Sequence, residues 1–403
     1  MSNQQKQWGA IVVMIALFAM IAFVTNLCTP MATIIKNQGE ISNVLAQIGN
    51  YGNFVAYLLM GIPAGMLISK FGYKKTALIG LVVGIIGILI QWFSGQLDAK
   101  ENLGLVFGVY LAGAFIAGLC MCILNCVVNP MLNILGGGGN KGNQLIQLGG
   151  VFNSTAAVAC YILMGALIAD ATKAKIDDAT PALMIALAIF VVAFVVICFT
   201  KIEEPEQAPV QVELIKEAMS YRHFALGALA IFLYMGIEVG VPNFVNLYLI
   251  ETGIPAGTVG MLVAVYWFMM LIGRLVGASI GGKVSSRVMI TTVSITTLVL
   301  VLFGMFAPTN ITVNFPGVDW GKLELIWQEV PLGIFAFLLV GLCTSVMWGG
   351  IFMTMVFGCA VMMFIQASVA DATDYITSFW VVVFCAAYIL FYALIGSRVN
   401  KRA

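Results

Sequence analysis

Apolar runs of membrane-spanning length follow one another along this chain, separated by short polar breaks. The first covers residues 8–35 and has Pro30 inside it. A proline kinks a spanning helix rather than ending it, because neighbouring groups satisfy the freed carbonyl. The second run, 44–68, closes in the basic turn SKFGYKK, and the third covers 76–93. The fourth and fifth, 103–135 and 143–169, are parted only by a glycine-rich break at 136–142. A polar patch at 172–180 precedes the sixth run, 181–199. A hydrocarbon core of about 30 Å takes about 20 helical residues, so each run predicts a spanning helix.

The middle of the chain carries the longest charged stretch, KIEEPEQAPVQVELIKEAMSYRH, at 201–223. Two prolines and a short amphipathic segment at 212–219 read as a linker lying on the membrane surface. The runs resume at 224–250, 256–280 and 288–306, and a second polar insertion follows at 308–331. Residues 332–370 then run without a charge. One helix of that length would reach roughly 58 Å at about 1.5 Å per residue, so two spans are predicted, turning at Gly349 and Gly350. A twelfth span ends near Ile395. Twelve spans place 13 of the 19 Lys and Arg on the side of both termini, and eleven would break the positive-inside rule. The expected organisation is a six-helix bundle at 1–200, a cytoplasmic linker at 201–222 and a second bundle at 223–403. The basic turns SKFGYKK and GGKVSSR occupy equivalent places after the second and eighth spans, as in transporters built from repeats.

Composition agrees with this pattern. Residues are 61% hydrophobic and 9% charged, whereas soluble domains carry about a quarter charged residues. The chain is therefore expected to be an all-α, multi-pass membrane protein. A net charge of +1 implies no acidic partner and no nucleic acid. The nine cysteines lie in or beside apolar runs without a CxxC pair, and His223 is the only histidine, so neither a metal site nor another cofactor is expected. An enzyme would need a nucleophile–base pair or a metal cluster, and a sensor would need a soluble output domain. The sequence offers neither.

Polar groups inside spans cost free energy and mark functional sites. Glu238 lies in the middle of the seventh span, in LYMGIEVGVPNFVNLY. Burial disfavours a charged carboxylate, so this group is the candidate to take up and release a proton. Pro242 can interrupt the same helix and free backbone groups for a solute. Amides accompany it: Asn26 in the first span, Gln47, Asn50 and Asn53 on one face of the second, Asn125 and Asn129 in the fourth, Gln147 and Asn153 in the fifth, Asn243 and Asn246 in the seventh, and Gln366 in the eleventh. An amide donates and accepts hydrogen bonds, as sugar hydroxyls do. Trp267 and Trp348 are candidates to stack on a sugar ring. The alternative reading is that individual amides only join helices. Arg274, deep in the eighth span, and Lys70 and Lys74, in the turn after the second, are gating candidates. The glycine-rich break lacks the GxxxxGK[ST] order of a phosphate loop and reads as a turn.

Several pieces together resemble the major facilitator superfamily and, within it, the fucose–galactose–glucose:proton symporter family. They are PAGMLISKFGYKK at 63–75, NPMLNILG at 129–136 with FNS at 152–154, YMGIEVGVPNF at 234–244 and YWFMMLIGRLVGA at 266–278. The resemblance extends over essentially the whole chain. It implies the major facilitator fold, with twelve helices in two pseudo-symmetric bundles. It implies alternating access by a monomer in the inner bacterial membrane, both termini cytoplasmic, and sugar uptake with a proton or another coupling ion. Three departures bear on mechanism. Ser69 stands where the superfamily usually has Asp. Thr29 and Asn125 stand where a fucose-transporting member has carboxylates, leaving Glu238 as the central acid. The polar loop between the tenth and eleventh spans is absent or very short.

Overall fold

The computed structural model describes residues 8–37, 42–97, 102–167, 176–204, 217, 220–280, 284–319, 324–345 and 356–397. The helices are α1 (Trp8–Asn37), the short α2 (Asn43–Ala46), α3 (Ile48–Gly95), α4 (Leu103–Leu135), α5 (Gly139–Leu167) and α6 (Thr180–Phe199). After the linker come α7 (Arg222–Glu238), α8 (Gly240–Glu251), α9 (Ala256–Ile280) and α10 (Ser286–Phe306). The chain ends in α11 (Leu332–Thr344), α12 (Gly358–Ala372), α13 (Tyr375–Ser378) and α14 (Trp380–Phe391), the last running on in a π-turn to Gly396. α3 merges the second and third predicted spans across a sharp turn at Gly72, whose φ of 80° is a conformation that favours glycine. With α3 divided there and α7 and α8 taken as one span, the described residues form twelve apolar segments in the predicted order.

The helices show why this sequence needs a membrane. Large apolar side chains point outward, including Phe199, Phe306 and Phe384, while Gln47, Asn50, Asn243 and Arg274 are buried. Burial is thus inverted relative to a soluble protein, because lipid rather than water meets the outer surface. Helix association here depends on close packing, which small residues permit. Gly260 of α9 lies against α5, where an added Cβ would sit 2.7 Å from the Tyr161 carbonyl oxygen.

α1 to α6 pack mainly on one another, as do α7 to α14. Two seams join these halves: α5 against α9, and α2 and α3 against α12. The fifth segment of each half meets the second segment of the other, as a two-fold repeat requires. One end of the molecule, the basic face, carries Lys74, Lys75 and Arg287. The other end is the opposite face.

The interruption that Pro242 allows is present, and two features differ from the sequence expectation. The seventh span is broken into α7 and α8 at Val239. Pro242 has no N–H, so the carbonyl four residues earlier, on Glu238, receives no helical bond. It accepts instead from the Tyr266 hydroxyl of α9 at 3.0 Å. The insertion after the ninth span contains an antiparallel hairpin, β1 (Thr312–Asp319) with β2 (Glu324–Pro331), registered from Thr312 opposite Pro331 to Asp319 opposite Glu324. A lone hairpin is marginal in water. Here it is anchored by the fully buried Val330 and by Gly317 lying on Thr258 at the start of α9. Finally, α5 starts at Gly139, four residues before its predicted start. Most of the central linker and the proposed turn at Gly349 and Gly350 lie outside the described residues.

Candidate functional site

A cavity lies between the halves, near the middle of the spans. Its cavity volume is about 80 Å³, below the range of about 300–1,000 Å³ usual for small-molecule sites. α1 contributes Phe18, Thr25 and Asn26, α3 Tyr57, α4 Asn125 and α5 Asn153. From the second half come Met235 and Glu238 of α7, Trp267 and Arg274 of α9, and Val356. The wall is therefore mostly apolar, with a few amides, one carboxylate and one guanidinium.

Hydrogen bonds fix part of this lining. The Asn125 amide donates to the Tyr57 hydroxyl at 3.0 Å and to the Met121 carbonyl at 3.0 Å. The Asn26 amide donates back to Ala22 at 2.8 Å. Trp267 stacks near Tyr161, with ring centroids 6.4 Å apart and planes at 22°, and meets the edge of Tyr266. Its indole N–H and the Thr25 hydroxyl are buried without a protein partner. Both groups therefore retain capacity to bond a solute.

At one wall the charges found among the described lining residues come together. A carboxylate oxygen of Glu238 lies 3.9 Å from Arg274 Nη2. Arg274 Nη1 donates to the Gly150 carbonyl, to Ser154 Oγ at 2.8 Å and to Asn153 Oδ1 at 3.3 Å, all on α5 of the other half. The Asn153 amide in turn donates to the Phe18 carbonyl of α1 at 2.8 Å. A buried pair of this kind holds its place only when its remaining donors are satisfied, and α5 supplies those acceptors.

A second polar cluster joins the halves near the opposite face, between the start of α3 and α8. Asn243 of α8 donates to Gln47 Oε1 at 2.6 Å, and Asn50 donates to the same oxygen at 2.5 Å. Gln47 Nε2, Asn50 Oδ1 and Asn243 Oδ1 remain buried without a partner. Further out, Asp371 accepts from the backbone N–H groups of Asn43 at 2.7 Å and Val44 at 3.1 Å, at the start of α2. The Tyr375 hydroxyl donates to Asn43 Oδ1 at 2.5 Å, and the Tyr51 and Phe364 rings meet edge to face. The halves are tied together at this end.

Of the residues singled out by sequence, the cavity gathers Asn26, Asn125, Asn153, Glu238, Trp267 and Arg274. Gln47, Asn50 and Asn243 form the separate cluster nearer the opposite face. Asn129 lies one turn beyond Asn125 and donates to its carbonyl at 3.1 Å. Gln147 is half-buried, and Asn246 is buried away from the lining. Trp348 and the Thr29 side chain lie outside what is described. At the basic face, Lys74 Nζ donates to the carbonyls of Cys198 and Thr200 at 3.1 and 2.8 Å, and Lys70 Nζ sits 5.2 Å from the Phe71 ring centre.

Three participants escaped the sequence reading. Tyr57 continues the helical face of Asn50 and Asn53, so its spacing could have revealed it. Thr25 precedes Asn26 directly but gives no periodic signal. Glu204, read only as part of the linker, accepts from the N–H groups of Tyr73 and Lys74 at 2.5 and 3.0 Å. It thereby caps the start of the helix after Gly72, beside the Ser69 position where the superfamily usually has an acid.

The geometry agrees with comparisons to known proteins. The sequence profile of the Major Facilitator Superfamily matches residues 11–397. The chain is 28% identical to a glucose/galactose transporter of Brucella abortus, over 98% of this chain and 96% of that protein. It is 20% identical to the L-fucose-proton symporter of Escherichia coli, over 72% of each. The crystal structure of the transporter FucP in the outward conformation superposes with a TM-score of 0.68 at 19% identity, covering 96% of this chain and 98% of that one. Profile, helix order, paired seams and central cavity lead to one assignment: the chain belongs to the Major Facilitator Superfamily.

Proposed function

We propose that this protein carries a neutral hexose or deoxyhexose across the cytoplasmic membrane by alternating access, with Glu238 as the proton-coupling group. The observation that carries this reading is the cavity between the halves, where amides from α1, α4 and α5 and an indole from α9 face one carboxylate. Amide and indole groups suit hydroxyls and a sugar ring, and the paired Glu238 and Arg274 leave no net charge to select an ion. The names of the relatives, which specify glucose, galactose and fucose, support the same solute class.

In this reading Asn26, Asn125, Asn153 and Trp267 contact the sugar in the cavity. Gln47, Asn50, Asn243 and Asn246 serve it from the opposite-face side as the seam opens. Asn129 and Gln147 serve it towards the basic face, and Trp348 is assigned to binding by residue type. The halves are residues 1–200 and 223–403, joined through 201–222. The basic face, with both termini, is cytoplasmic by the positive-inside rule. Lys70, Lys74 and Arg274 act in gating, and the protein works as a monomer in the inner membrane.

The test is uptake of labelled D-glucose, D-galactose and L-fucose into proteoliposomes, with and without an inward proton gradient. Uphill uptake that needs the gradient, and is lost in Glu238→Gln while sugar exchange persists, is expected. Absence of uptake of all three sugars would refute the transport reading. Gradient-driven uptake surviving Glu238→Gln would remove Glu238 from coupling, and uptake by facilitated diffusion alone would make the protein an uncoupled carrier.

A further inference from the structure

Arg274 is placed between two rival sets of partners. Glu238 belongs to its own half, on α7. The acceptors on Gly150, Asn153 and Ser154 belong to the other half, on α5. The guanidinium is planar and presents five N–H donors in a fixed fork, so it cannot reorganise towards one set without changing its hold on the other. In this structure Nη1 is committed to the three α5 acceptors, whereas Nη2 stands 3.9 Å from the carboxylate, beyond a hydrogen bond. The α5 acceptors are themselves anchored, because Asn153 also holds the Phe18 carbonyl of α1.

We infer that Arg274 is the positioning residue that converts the protonation of Glu238 into the strength of the seam between α5 and α9. This rests on the reading of Glu238 as the proton-binding group and extends it to a device for moving the halves. When a proton from water adds to a Glu238 carboxylate oxygen, the side chain becomes neutral and releases its claim on Arg274. The guanidinium charge is then satisfied across the seam by α5, and the halves are held there. When the proton leaves to water, the carboxylate recovers its charge and draws Arg274 into its own half. The α5 acceptors lose their donor and the seam loosens. Besides Arg274 of α9, the titratable groups near Glu238 are Tyr234 on α7 itself and Tyr266 on α9. Across the cavity α3 presents Tyr57, while the lining residues of α1, α4 and α5 are uncharged. Arg274 is therefore the positive partner among the described groups that face the carboxylate.

Because Arg274 bonded to a carboxylate favours its ionised form, weakening the α5 side makes the guanidinium more available to Glu238 and moves the transition towards acid. The measurement is the distance between spin labels across the α5–α9 seam, recorded from pH 5 to 9 in purified protein without sugar or gradient. The wild type is expected to show a pH-dependent seam, tighter at low pH. Glu238→Gln should hold the tight distance at every pH. Arg274→Gln should lose the pH dependence although Glu238 still titrates. Ser154→Ala removes one α5 acceptor and should shift the midpoint by about one pH unit towards acid, a tenfold change in the seam equilibrium. It covers the case in which Arg274→Gln fails to fold. A seam whose pH response is unchanged in Arg274→Gln, or in Ser154→Ala if the former does not fold, would overturn the inference. Sugar is absent from this measurement, so a failure here is separate from a failure to transport hexoses.

Discussion

Asp371→Ala is expected to loosen the opposite face. Its carboxylate binds two backbone N–H groups, Asn43 and Val44, across the boundary between the halves. Those donors belong to a helix start and have no helical partner of their own. A hydrogen bond to a charged group contributes about 1.5–3 kcal/mol when buried, and a carboxylate at a helix start adds about 0.3–1 kcal/mol. Asp371 is exposed, so water competes for both terms and the lower end applies. Removal should therefore shift the closed-to-open balance by about 1–2 kcal/mol, or roughly 5- to 30-fold. Tyr375 and Asn43 remain paired across the same seam, so the face should be weakened rather than abolished. Spin labels at the exposed Leu45 and Thr373 report this directly, since one lies on each side of the seam. The long-distance population in pulsed dipolar spectra should rise by that factor. A population within about twofold of the unsubstituted protein would show that Asp371 does not hold the halves together.

Other substitutions test separate parts of the structure. The Gln47, Asn50 and Asn243 cluster leaves amide atoms unsatisfied, each costing about 1–3 kcal/mol. Replacing Gln47 and Asn243 together by Leu should favour the closed seam and slow sugar exchange, whereas Gln47→Ala alone should loosen it; a double variant as open as the single one would count against this. Pro242→Ala restores a donor for the Glu238 carbonyl in competition with Tyr266, so the break at Val239 should straighten and thermal stability should rise while exchange falls; stability unchanged or lower would contradict the argument. Asp374 caps α13, accepting from the Thr377 N–H at 2.8 Å and its hydroxyl at 2.6 Å, and these bonds hold its carboxyl below the usual range. Its folded pKa is depressed, so its contribution is present above the unfolded value of about 3.9 and is lost as pH falls through the folded value. Asp374→Ala should lower stability at pH 7 by no more than about 1 kcal/mol, with the difference shrinking as pH falls below the unfolded value of about 3.9; a difference that does not shrink in acid would exclude the cap as its cause.

Apolar run lengths and the positions of lysines and arginines determined the membrane class and the number of spans. Those properties follow from lipid thickness and from charge, which act on each segment separately. Pro242 likewise announced a break, because a missing N–H is a local property. The partners were another matter. Asn26, Asn125, Asn153 and Glu238 come from four separate spans, and nothing in their spacing shows that they share a cavity while Gln47, Asn50 and Asn243 form another cluster. Tyr57 was legible only in part, and Glu204 as a helix cap was not legible at all, since its partners lie about 130 residues away. The chain alone marked Arg274 as an expensive buried charge. Only the fold, which brings Arg274 within 3.9 Å of Glu238 and into hydrogen-bond reach of Gly150, Asn153 and Ser154, showed which groups surround that charge, because such partners are fixed by distances that sequence does not contain.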